Sequence, residues 1–165
     1  MAMRQRPFLT SRAHKVFALA PDQADSRGDD NLTPAHIALG LLLEGRSIAV
    51  QVLLERGMPL EAVADELEAE LPARGAPRAQ PEVREWTPDD ERLVEHAVRE
   101  ARDLGTEFYG CEHLLLAFLR DPAGVPARIL ARHGVGFTDV HTEIRRILRP
   151  EPEPPPAQLS NRDDG

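Results

Sequence analysis

Three side chains that bind metals or move protons stand together at Cys111, Glu112 and His113, inside the stretch EFYGCEHLLLAFL. A structural metal site wants about four ligands at regular spacing. One thiol, one carboxylate and one imidazole on adjacent residues at a helix start cannot all face one ion. The histidines at 14, 36, 96, 113, 133 and 141 occur in no HExxH context, and the single cysteine rules out CxxC. A nucleophilic cysteine needs a base poised beside it and an oxyanion site. His113 is two residues on and points to another side of a helix. The residues therefore predict no metal and no cofactor. They predict a packed or half-exposed Cys111 thiol and a structural His113, and an enzyme using Cys111 and His113 is the weakest of the readings.

The elements that position these residues come from an internal repeat. A shift of 77 positions, the step from Thr10 to Thr87, aligns the two halves without a gap. Gly28 falls on Gly105, His36 on His113, Leu53 on Leu130, Gly57 on Gly134 and Val63 on Val140. Other pairs stay apolar, such as Val16 with Leu93 and Val52 with Ile129. Each half predicts four helices. The first starts at Thr10 or Thr87, whose hydroxyl can accept from free backbone N–H groups, and ends at Gly28 or Gly105. Pro88 and the acids Asp89, Asp90 and Glu91 suit the first turn of the second copy. The second helix starts near Thr33-Pro34 or Gly110-Cys111 and is apolar nearly all round, so it is central. The third covers 48–56 and 125–133, and the fourth 60–71 and 137–148. No strand pattern stands out. The expected architecture is all-α, with about eight helices in two tandem four-helix repeats related by a pseudo-twofold. Repeat 1 spans 8–72, a Pro/Gly/Ala-rich linker 73–85 and repeat 2 86–149, and a proline-rich, disordered tail follows at 150–165.

Composition narrows the function classes. Hydrophobic residues make up 41%, charged residues 29% and aromatics 4%, so a globular core must be built from Leu, Val, Ile and Ala. A net charge of -8 argues against a nucleic-acid binder. No apolar run approaches the ~20 residues that cross a bilayer. Without a signal peptide or a second cysteine, the expected compartment is the cytoplasm. Lys15 is the only lysine and has no glycine near it, so no Walker A motif is present. No coiled-coil seam is evident, and a monomer is expected.

The segments LTSRAHKVFALA, LTPAHIALGLLLEG, WTPDDERLVEHAVREARDLG and YGCEHLLLAFL, in this tandem arrangement, resemble the Clp N-terminal (Clp R) domain over residues 8–149. That domain precedes the ATPase rings of ClpA- and ClpC-type Hsp100 unfoldases. The resemblance implies a non-catalytic module that binds substrates, adaptors or Clp ATPase/protease subunits. Here the expectation is a free-standing domain that delivers ligands to a Clp machine, modulates it, or sequesters ligands from it.

The resemblance also carries a ligand. In ClpC-type domains the acid of the Gly-Thr-Glu-His stretch helps bind phosphoarginine, a degradation mark. Glu112 matches that acid, and a carboxylate suits a planar guanidinium. Thr87, at a helix start, is placed to help with a phosphate. The alternative is that Glu112 only complements the helix dipole. Ala35 replaces the acid in repeat 1, so at most one such site survives, and Cys111 stands where the family often has threonine. Trp86, the only tryptophan, either staples the helix entry or joins Cys111 in a partner surface.

Overall fold

The computed structural model describes residues 8–81 and 84–148, so the expectation for the tail lies outside the described residues. The elements run β1 (Phe8–Leu9), α1 (Ser11–Arg27), α2 (Pro34–Glu44), α3 (Ile48–Glu55) and α4 (Leu60–Ala69), then α5 (Pro88–Asp103), β2 (Phe108–Tyr109), α6 (Cys111–Leu119), α7 (Val125–Arg132) and α8 (Phe137–Leu148). Thr10 Oγ1 accepts from the Ala13 N–H at 3.2 Å, and Thr87 Oγ1 from the Asp90 N–H at 3.2 Å. Both first helices therefore begin at the threonines that the sequence marks, because a hydroxyl there satisfies an orphan donor.

The apolar helices α2 and α6 sit at the centre. Ile37, Leu39 and Leu41 of α2 and Leu114, Leu115 and Leu116 of α6 are all buried. The repeats interlock rather than stand side by side: α2 packs on α7, α3 on α6 and α8, and α4 on α7. One core thus serves both halves, and removing a central leucine side chain would cost about 2–5 kcal/mol. The α1–α2 crossing is close enough to need Gly40, where a Cβ would sit 2.8 Å from the Val16 carbonyl oxygen. The equivalent position in α6 is Ala117.

One feature departs from the sequence expectation, a strand pair. Phe8 and Leu9 run parallel to Phe108 and Tyr109, and the Thr10 N–H continues the ladder to the Tyr109 carbonyl at 3.0 Å. Two residues are too few to show a strand period, and the partners lie far apart in sequence.

The segment that connects the repeats is fastened to repeat 1. The Gly75 and Arg78 N–H groups donate to the carbonyls of Arg27 and Asp25 at 2.8 and 2.9 Å. The Arg27 guanidinium reaches the Pro72 carbonyl at 2.8 Å, and Arg84 Nη2 reaches the Asp29 carbonyl at 2.9 Å. Gly28, at φ 72°, is required twice over: it takes the left-handed cap, and a Cβ there would lie 2.3 Å from the Ala76 carbonyl oxygen.

Among the described residues no single helix is long and apolar enough to cross a membrane; α2 and α3 together are apolar but bend by 84°.

Candidate functional site

His113 is locked by its own helix start. Its Nδ1 accepts the Gly110 N–H at 2.9 Å, and its Nε2 lies 3.2 Å from Thr106 Oγ1. Nδ1 as acceptor leaves the proton on Nε2, which donates to Thr106. Burial pushes the imidazole down to about 4, so it is neutral at pH 7. His36 repeats the arrangement: its Nδ1 accepts the Thr33 N–H at 3.0 Å, and its Nε2–H donates to Asp29 Oδ2 at 2.8 Å. Both histidines take the place of a capping-box side chain. They are structural, as the repeat alignment suggests.

Cys111 is 1% exposed, and burial drives its thiol up to about 12. One correction follows: the thiol lies beneath the surface and cannot be part of a partner surface. It also lacks a base: its hydrogen-bonding neighbour is Ser47, while both nitrogens of His113 are engaged elsewhere. A nucleophile–base pair is therefore not built here. Among the described residues no three His, Cys, Asp or Glu side chains are grouped to hold a metal ion.

Glu112 is the less settled group. Its side chain is 12% exposed. The carboxylate folds back over Gly110, where a Cβ would meet Oε2 at 2.7 Å, so Gly110 makes room for it. Burial raises its pKa. His113 Nδ1 lies 3.6 Å away, but that nitrogen carries no proton, so no counter-charge among the described residues balances the acid.

The fold does not bring Thr87 to Glu112. The first turn of α5, at Asp89 and Arg92, lines a cleft together with Thr33, Ala35 and Arg120, which puts Thr87 at the far end of α6 from Glu112. The Thr87 hydroxyl also donates to Asp90 Oδ2 at 2.9 Å while accepting from the Asp90 N–H. Through the strand pair it is Thr10, with the start of α1, that comes beside α6. Arg12 and Glu44, paired at 2.7 Å, reach the surroundings of Cys111 together with Glu112. Sequence reading passed over Thr10, Arg12 and Glu44 here. The signal available was the packing of α1 on its neighbour α2, which sets Arg12 against Glu44. Trp86 is 45% exposed and packs on Phe17 in a tilted arrangement, ring centroids 5.3 Å apart, so it joins the start of α5 to α1 while staying partly open to solvent.

Two interlocked four-helix repeats, each with a histidine-capped central helix, define a double-repeat helical domain. The chain belongs to the Clp repeat (R) N-terminal domain family, whose profile matches residues 8–133 and again 100–162. It is 37% identical over 139 residues to the Bacillus subtilis protein named negative regulator of genetic competence ClpC/MecB, a match covering 84% of this chain and 17% of that one. It is 34% identical over 139 residues to the chaperone protein ClpB of Oceanobacillus iheyensis, again covering 84% and 17%. The chain thus spans about a sixth of the length of these relatives. Among solved structures, the N-terminal domain of ClpD from Arabidopsis thaliana superimposes with a TM-score of 0.64 at 19% identity, over 89% of this chain and 99% of that one. The Hsp104 N-terminal domain of Candida albicans gives 0.68 at 15% identity, over 88% and 93%. These two show a shared fold.

Proposed function

We propose that the chain is a non-catalytic, cytoplasmic protein-binding module of Clp-type protein quality control, receiving substrates, adaptors or Clp ATPase/protease subunits. The observation that carries this reading is the match, over 84% of the chain, to a region that makes up 17% of ClpC/MecB. The locked histidines and the buried thiol support it, because they leave recognition rather than Cys–His chemistry as the use of the surface. A tagged pull-down from native lysate, read by mass spectrometry, tests it. Enrichment of Clp ATPase or peptidase subunits, or of a set of client proteins, is expected. Enrichment of neither contradicts the reading.

A second reading, a sensor or sequestering protein for phosphoarginine-marked proteins, is favoured by Glu112. It is a mostly buried acid with no cationic partner among the described residues, and it shares the surroundings of Cys111 with Arg12, which is itself paired with Glu44. A guanidinium would supply the missing charge, and the helix start with Arg12 would suit the phosphate. Free phosphoarginine titrated against native protein and Glu112→Ala checks this. Binding that the substitution abolishes is expected, and equal or absent binding in both removes the reading. Thr10→Val should weaken this binding more than Thr87→Val.

A further inference from the structure

A cleft of about 520 Å³ opens where the start of α2, the first turn of α5 and the start of α7 meet. Its floor is apolar, formed by Ala35, Leu93, Phe118, Val125 and Pro126. That is room for an apolar side chain and its flanks, within the usual range of ligand-binding clefts. The rim carries Glu70, Asp89, Asp121, Arg92 and Arg120. Both arginines are already paired, Arg92 with Asp89 and Arg120 Nε with Glu100 Oε1 at 2.5 Å. Glu70 faces Arg128 and Arg132. Asp121 is left exposed on the rim, with no side-chain partner among the described contacts. At the start of α5 a further carboxylate, Asp90, is fully buried, and its Oδ1 has no hydrogen-bond partner.

The repeat shift turns this cleft into a second one, lined by Ser11, Arg12, Lys15, Glu44 and Arg46. The signs differ between the two. Where one long helix begins with Arg12, Ala13 and His14, the other begins with Asp89, Asp90 and Glu91. Arg46 is replaced by Ala123, and Glu112 by Ala35. One cleft is cationic at its rim; the other carries both signs at its rim, with Asp121 as the acid left unpaired there, and is apolar at its floor.

We infer that the cleft between α2, α5 and α7 docks an extended segment of another protein, with an apolar side chain on the floor and a neighbouring basic side chain facing Asp121. Asp121, the rim charge left without a side-chain partner, favours a basic segment over an acidic one, and charge of this kind sets partner choice more than raw affinity. The apolar floor supplies the anchor. The inference rests on the reading of the chain as a protein-binding module and says which surface and which partner chemistry that module uses.

The test is fluorescence polarisation with two labelled peptides, one with a central Leu-Arg-Leu and a twin with Leu-Glu-Leu, at about 0.15 M salt. The basic peptide is expected to bind at least about tenfold more tightly than its twin. Ala123→Trp, an exposed substitution that fills the cleft mouth, should abolish binding. Asp121→Lys should weaken it about threefold to tenfold. Lys15→Glu, in the second cleft, should leave it unchanged. Equal binding of the twins, binding that survives Ala123→Trp, or no binding of either peptide overturns the inference. The module reading is judged apart from this, by the pull-down, so the two can fail separately.

Discussion

In repeat 1 the buried histidine of the central helix faces a carboxylate; in repeat 2 it faces a hydroxyl. Both rings accept a backbone N–H at the helix start, so the cap is common to the two halves. The difference lies at Nε2, where Asp29 in one corresponds to Thr106 in the other. Asp29 also accepts from Arg27 Nε at 2.9 Å, and Arg27 holds the linker. Burial pushes the Asp29 carboxyl upward, but the hydrogen bonds from His36 and Arg27 outweigh it and keep it below its usual range. At the position of Arg27 repeat 2 has Leu104, a buried apolar residue. One scaffold thus tolerates an ionic corner and a neutral one, and the ionic corner is where the connecting chain is tied down.

The comparison breaks most visibly at that corner. Asp29→Ala leaves the Arg27 side chain, 4% exposed, without its closest counter-charge. It should cost about 3–5 kcal/mol in urea unfolding. Thr106→Val removes a neutral acceptor from His113 and the hydroxyl's own donation to the Ala101 or Phe108 carbonyl, and should cost about 1–2 kcal/mol. Equal losses at the two positions would mean that the corners are energetically alike.

Acid sharpens the same contrast. His113 sits at about 4 in the folded protein against 6.5 for the free side chain. The unfolded chain therefore binds the extra proton first, and stability that is present above pH 6.5 is lost as pH falls toward 4. The loss should be on the order of 3 kcal/mol, readable from unfolding midpoints across that window. Thr106→Asp would give repeat 2 the acceptor of repeat 1, raise the His113 pKa and flatten the loss. An unchanged slope would show that His113 does not govern it.

Smaller effects follow at the helix crossings and on the surface. Gly40→Ala should destabilise by about 1–3 kcal/mol, because the added methyl meets the Val16 carbonyl. Ala117→Gly, the reverse exchange in repeat 2, should cost about 1–2 kcal/mol through helix propensity and the loss of a buried methyl. Arg92→Ala breaks an exposed pair with Asp89 and should change the unfolding midpoint by no more than about 0.5 kcal/mol.

The helices were legible in the sequence because their signals are local. Thr10 and Thr87 as caps, Gly28 as a left-handed stop and the apolar run at 114–119 each announce an element without help from afar. What stayed hidden depends on distant partners. The Phe8–Phe108 pairing has no period to show. The Arg27 and Arg84 fastenings look like ordinary surface charges until the chain closes on itself. Thr87 shares a repeat with Glu112, so sequence reading joined them; the interlocked packing sets Thr10 beside α6 instead. A candidate site formed across the pseudo-twofold cannot be read from one repeat at a time.

The most direct check is amide chemical-shift mapping on one labelled sample, titrated first with phosphoarginine and then with the Leu-Arg-Leu peptide. Two clefts of different charge predict two separate sets of perturbed amides. Phosphoarginine should move Arg12, Lys15 and Glu112, and the peptide should move Asp89, Asp121 and Val125. Both ligands perturbing one set, or the peptide perturbing neither, would contradict the account.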